Sequence, residues 1–281
     1  MERREFLAKT TVAGLATLGS GALMAQTRTE QRPGESDVAY RTRMAQMRGY
    51  GRECYELRRY EIESEQQKAG FDRFAREAAL PALNRLGIQP VGVFYPNEGL
   101  SPIYVLLPHP SIGSFVSLTQ RLSEDPEFLE KGADFIDAPA DAPAYKVMEV
   151  QLMQAFEGMP KLERPVETPG RIFQLRTYES PSEKTGLKKI EMFDTAEIAI
   201  FRKTGLHPVF FGQTLAGMKM PNLTYMLGFK DMEESKANWK TFVSDPEWRQ
   251  LSGMAEYADK AILRAKGITN LYLKPASYSQ I

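Results

Sequence analysis

Arginine and tyrosine spaced two apart on a strand can hold an anion or steer a proton, and this chain carries that pairing twice. In YELRRY, residues 55–60, Glu56, Arg58 and Tyr60 fall on one side of an extended chain and Tyr55, Leu57 and Arg59 on the other. In FQLRTY, residues 173–178, Gln174, Arg176 and Tyr178 share a side opposite Phe173 and Leu175. The only two histidines, His109 in LLPHPS and His207 in LHPVF, add two groups that titrate near neutrality. Arg58, Tyr60, Arg176, Tyr178, His109 and His207 are therefore the candidate ligand-binding residues. No catalytic residue is assigned. The chain has no G-x-S-x-G, no G-x-G-x-x-G after a strand, no P-loop and no H-E-x-x-H. Cys54, the single cysteine, cannot close an internal disulfide and reads as a small buried hydrophobe. No metal site is expected.

The elements that must position these residues emerge from a tandem repeat. Tyr55 falls on Phe173 and Gly87 on Gly205, both 118 residues on. Tyr104 falls on Tyr225 at 121, and Asp125 of EDPEF on Asp245 of SDPEW at 120. Ordered matches with so little drift mark a duplication. In the first copy a strand (55–62) leads into an amphipathic helix carrying Phe71, Phe74, Ala78 and Leu83. Pro81 is expected to kink or divide that helix, and Gly87 to cap its end. Strands at 90–95 and 103–107 form a hairpin, a helix covers 112–122, and Asp125-Pro126 starts a short helix. A last strand covers 146–154. The second copy reads as strands at 172–178, 209–215, 224–229 and 270–274, with helices at 184–203, 233–244 and 245–266. The order β-α-β-β-α-β is the ferredoxin-like unit, so the fold class is α+β.

In such a unit helices cover one sheet face. Tyr55, Leu57, Phe173 and Leu175 suit that dry face, which sends Arg58, Tyr60, Arg176 and Tyr178 to the opposite face, against the other half. Both arginines should then be substantially buried and hydrogen-bonded, because an unpartnered buried charge costs several kcal/mol. A polar network tying the sheets together is favoured over a ligand clamp. The histidines are not repeat-equivalent, since Gln89 stands where the second copy has His207, so a symmetric two-histidine site is not expected. Met218 and Met220, in the turn LAGMKMPN, either pack against a neighbour or rim an apolar pocket. Trp239 and Trp248 belong to the helical side.

With 36 basic and 36 acidic side chains the net charge is zero, which gives nucleic acid no basic surplus to bind. Residues 1–25 place Arg3-Arg4 before roughly 15 weakly apolar residues, too few for a confident membrane span, in the order of a twin-arginine export signal. Residues 26–52 read as a polar linker, partly helical near 38–47. The first unit covers 53–157, a second linker 158–170, and the second unit 171–281.

The pattern [YF]-x-L-R-x-Y, the helix end LPALNRLGIQPVG, the tyrosine-bearing third strand and DPE[FW] together resemble the NIPSNAP family. That resemblance, over nearly all of residues 53–281, implies the dimeric α/β-barrel superfamily, with two ferredoxin-like halves closing one barrel. With the export signal read in residues 1–25, the expectation is an exported, periplasmic protein of this type that binds a small apolar or anionic ligand or a protein partner. The alternative is a cofactor-independent monooxygenase-like or isomerase-like enzyme acting on a small aromatic substrate. Neither histidine lies in the late helix that carries the axial ligand in haem-binding relatives of the fold, so no cofactor is expected. The expected partners are that ligand and further copies of the chain, with no nucleic acid and no stable membrane span in the mature chain.

Overall fold

A computed structural model describes residues 51–281, together with residues 34, 36 and 38–40, the last three helical. The signal reading of 1–25 and most of the linker reading of 26–52 lie outside the described residues.

In the first half β1 (Cys54–Glu61) leads to α1 (Glu65–Phe74), a π-helical segment (Ala75–Ala79) and α2 (Leu80–Arg85). The hairpin β2 (Gly92–Pro96) and β3 (Ile103–His109) follows, then α3 (Ile112–Ser123), α4 (Pro126–Ile136) and β4 (Val147–Ala155). The second half repeats the order with β5 (Ile172–Glu179), α5 (Glu183–Met192), a π-helical segment (Phe193–Glu197) and α6 (Ile198–Lys203). It continues through β6 (His207–Ala216), β7 (Asn222–Phe229), α7 (Met232–Ser244), α8 (Pro246–Gly253), α9 (Asp259–Ile262) and β8 (Ile268–Pro275). The local signals that start and stop these elements are satisfied. Ser64 caps α1 by accepting from Gln67 N at 3.1 Å, and Asp125 caps α4 by accepting from Phe128 N at 3.0 Å. Gly87 takes the left-handed conformation (φ +75°) that ends α2.

The eight strands close into one antiparallel barrel in the order β1-β3-β2-β8-β5-β7-β6-β4. Each half supplies a four-stranded sheet. The halves are stitched by β4 to β6 through Leu152–Ala155 and by β2 to β8 through Phe94, Tyr95 and Pro96. Both seams are short, so β4 and β8 run on at one end without a partner from the other half. The opposite end is closed. There Tyr55, Phe94, Met153, Phe173, Phe210 and Met226 fill the barrel centre, with Leu162 and Ile281 packed against them.

That core overturns the face assignment made from sequence. Tyr55, Leu57, Phe173 and Leu175 point into the barrel. Tyr60 and Tyr178 lie instead in two separate cores beneath the helices, and Arg58 and Arg176 share their side of the strand. The inversion has a simple cause. Both faces of these strands are buried, so alternation alone cannot say which one meets the helices. A second correction concerns the third strands. Arg58 pairs with Val105 and Arg176 with Tyr225, so Val105 is the counterpart of Tyr225. Tyr104, matched to Tyr225 by sequence, faces the barrel interior.

Two helical expectations also change. The π segment precedes Pro81 in the first half, and the second half has one in the same place with Ala199 at the matching position, so the widened turn does not depend on proline. The helix expected over 245–266 stops at Gly253, where Met254 turns extended (φ −68°, ψ 131°), and only the short α9 follows.

Candidate ligand-binding chamber at the barrel mouth

At the open end the inward stripe of each strand changes from apolar to polar. Along β1 it runs Tyr55, Leu57, Arg59, Glu61. Along β5 it runs Phe173, Leu175, Thr177, Glu179, and antiparallel pairing sets Tyr104 and Glu149 beside Arg59 and Thr224 and Thr269 beside Thr177. The result is a half-open chamber of about 450 Å³ whose lining includes Leu57, Tyr104, Leu175 and Leu271. Arg59 donates through Nη1 to Glu61 at 2.9 Å and to Glu149 at 2.8 Å. Burial alone would lower the arginine pKa, but the two carboxylates outweigh it and hold the guanidinium charged. Burial pushes the Tyr104 hydroxyl up against a smaller opposing pull from Arg59, which keeps it protonated.

Next to this triad, starting from Gln151 two residues along β4 from Glu149, runs an amide and hydroxyl network. Gln151 Nε2 lies 2.6 Å from Thr214 Oγ1, 3.0 Å from Thr224 Oγ1 and 3.2 Å from Asn222 Oδ1, and Thr177 meets Thr224 at 2.9 Å. Asn222 Nδ2 donates to the carbonyl oxygens of Met218 at 2.9 Å and Lys219 at 3.3 Å, tying down the β6–β7 hairpin. That hairpin places Met218, 62% exposed, and Lys219 on the chamber rim. Lys219 reaches Glu179 at 3.4 Å.

The residues singled out from sequence lie elsewhere. Beneath the first-half helices Glu56 accepts from Arg58 Nε at 2.6 Å and bonds His109 Nε2 at 2.9 Å, while His109 Nδ1 meets Ser114 Oγ at 3.1 Å. Arg58 Nη1 reaches the Tyr60 hydroxyl at 3.5 Å. Beneath the second-half helices Arg176 donates to the Tyr178 hydroxyl at 3.0 Å, which bonds Tyr225 at 2.9 Å. Its guanidinium stacks 4.5 Å from the Trp239 ring, and its Nε is buried without a partner. His207 is half-buried at the start of β6. Arg58 and Tyr60 thus form one group with His109, Arg176 and Tyr178 form another, and His207 joins neither. Cys54 is buried, as its type implied.

Sequence reasoning missed Arg59, Glu61, Glu149, Gln151, Asn222 and Thr224. A signal was present. Arg59 and Glu61 continue the stripe of Tyr55 and Leu57, and charges at one end of an apolar stripe mark the end that meets water. Among the described residues no three His, Cys, Asp or Glu side chains converge as metal ligands, and no helix is long and apolar enough to cross a membrane.

A closed barrel built from two ferredoxin-like halves, helices outside and a chamber at one mouth, defines a protein of the dimeric α/β-barrel class. A candidate monooxygenase from Fusobacterium nucleatum shares this fold with a TM-score of 0.51 at 8% identity, over 80% of this chain and 93% of that one. A candidate monooxygenase from Lactobacillus acidophilus does so with the same score and identity, over 80% and 94%. A NIPSNAP-like domain protein from Burkholderia xenovorans, 20% identical with a TM-score of 0.35, covers 39% of this chain with 88% of its own. At these identities the likeness is one of fold. No curated protein matches the chain. The NIPSNAP family model matches residues 55–140 and 173–280, one segment in each half. The chain belongs to the NIPSNAP family.

Proposed function

We propose that this NIPSNAP protein is a small-molecule-binding barrel whose ligand sits in the mouth chamber. The chamber itself carries the reading: about 450 Å³ falls in the range of ligand sites, and polar groups converge on an apolar floor. Its charge selects the ligand. Arg59 is shared by Glu61 and Glu149, leaving that triad one net negative charge, and Lys219 is balanced by Glu179. A carboxylate ligand would enter against this surplus. A neutral or cationic ligand rich in donors, with a flat apolar body for Leu57, Leu175 and Tyr104, complements it.

Calorimetric titration of the protein with tyramine and with 4-hydroxyphenylacetate separates the two parts of the proposal, because these share a ring and differ in charge. Tyramine is expected to bind more tightly, and Glu149→Gln to weaken it about tenfold, the loss of one charge-assisted contact. Tighter binding of the acid overturns the charge argument and leaves the chamber standing. Binding of neither, or binding that Leu175→Trp leaves unchanged, overturns the chamber. Candidate monooxygenases share the fold, and since one fold hosts both binders and enzymes, catalysis in the same space is the second reading to test. Oxygen uptake in the presence of the bound phenol distinguishes a binder, which consumes none, from an oxygenase.

A further inference from the structure

The two halves differ in what fills the space between helices and sheet. Beneath the second-half helices five rings form one cluster: Phe193, Phe201, Phe211, Tyr225 and Phe242. Phe193 lies 5.2 Å from Phe211 and 5.5 Å from Tyr225, and Phe201 lies 4.9 Å from Phe242. The repeat places a smaller residue at each of these positions in the first half. Ala75 and Phe193 each open the π segment. Leu83 and Phe201 stand three residues before the C-caps of α2 and α6. Val93 pairs with Val105 as Phe211 pairs with Tyr225. Leu122 and Phe242 stand three residues before the capping aspartates Asp125 and Asp245. All five smaller residues line one cavity of about 50 Å³.

At the floor of that cavity is Arg58. Its counterpart Arg176 spends its guanidinium face on Trp239. Arg58 has no such cover. It lies deep beneath the helices yet keeps 24% of its side-chain surface accessible, and its Nη2 has no protein acceptor among the described residues. Its charge is already matched by Glu56.

We propose that this first-half cavity is a second ligand site, taking a compact, neutral molecule of about four heavy atoms that bears one hydrogen-bond acceptor, such as acetone. The walls supply apolar contact, and Arg58 supplies the donor. An anion does not fit, because Glu56 neutralises the arginine and a second buried negative charge would go unpaired. The mouth chamber is not involved, since it lies on the other face of β1.

Methyl-resolved NMR of the full chain titrated with acetone tests the site. Saturable shifts are expected at Val93, Val105 and Leu107, with binding at least about tenfold weaker in Arg58→Met, the loss expected for a charged donor. Val105→Tyr installs the residue the second half already carries there and should abolish the shifts in a folded protein. If that variant does not fold, Val93→Phe, which copies Phe211 of the second half, makes the same test. Isobutene, which has the shape of acetone without its oxygen, gauges the acceptor and should bind more weakly than the ketone. Absent or non-saturable shifts, shifts that survive the plugged variant, or equal binding of isobutene each overturn the proposal.

Discussion

His109 shows how a titratable side chain can be fully committed without being a ligand site. It is buried between Glu56 and Ser114, with Nε2 2.9 Å from the carboxylate and Nδ1 3.1 Å from the serine hydroxyl, so both ring nitrogens are taken. Burial pushes the Glu56 pKa up, but bonds to His109 and Arg58 prevail and hold it below its ordinary value of 4.5. The unfolded carboxylate titrates near that ordinary value and the folded one lower. The stabilisation from Glu56 is therefore complete above about pH 4.5 and is lost as pH falls through the folded value. Glu56→Gln leaves Arg58 without its counter-charge, and a loss of about 3 kcal/mol is expected at pH 7. Denaturant unfolding of both proteins at pH 7 and at pH 3 checks this, with the gap between them narrowing in acid. A gap that is constant or widens in acid would show that Glu56 does not act through its charge.

Both halves carry a π segment at the same place, built on different side chains. In the second half Lys189, four residues before the segment, bonds Glu197, its last residue, at 2.9 Å, and both are buried. Burial pushes the Glu197 pKa up, opposed by Lys189. The first half places Phe71 and Ala79 at these positions and forms the same widened turn. The ion pair is thus not what makes the π segment. Replacing Lys189 alone with Met strands a buried carboxylate and is expected to cost about 3–5 kcal/mol. Lys189→Met combined with Glu197→Leu is expected to recover most of that loss or exceed wild-type stability. Thermal denaturation of the two variants decides it, and a double variant no more stable than the single one would assign the pair an essential structural role.

At the scale of the whole molecule each half needs the other to cover its inner face. Phe173, Leu175, Phe210, Met226 and Leu273 belong to a core that also holds Tyr55, Leu57, Phe94 and Met153 from the first half. A fragment of residues 171–281 would expose that face and the edges of β6 and β8 that meet the first half. It is expected to associate as a symmetric pair that re-forms a closed barrel, giving a dimer mass by size exclusion with light scattering. A folded monomeric fragment would mean that the inter-half core is not what holds the barrel shut.

The duplication, the β-α-β-β-α-β order and the family resemblance were legible in the sequence because they rest on local signals: alternation, capping residues and a repeated spacing. Gly87, Asp125 and Asp245 stop and start their helices through contacts within a few residues, and such contacts are written where they act. The direction of the strands' two faces was not legible. YELRRYE is apolar or hydrogen-bonding on both sides, and a period of two is blind to which side meets helices and which meets another sheet. Barrel closure decided that. It turned Tyr55 and Leu57 inward, carried Arg59 and Glu61 to the mouth, and moved Arg58 and Tyr60 under α1. The chamber likewise depends on Glu149, Gln151 and Asn222, brought to Arg59 and Thr177 from strands up to 163 residues away by pairing and by two seams too short to close that end. No stretch of chain contains that proximity; it exists once eight strands share one wall.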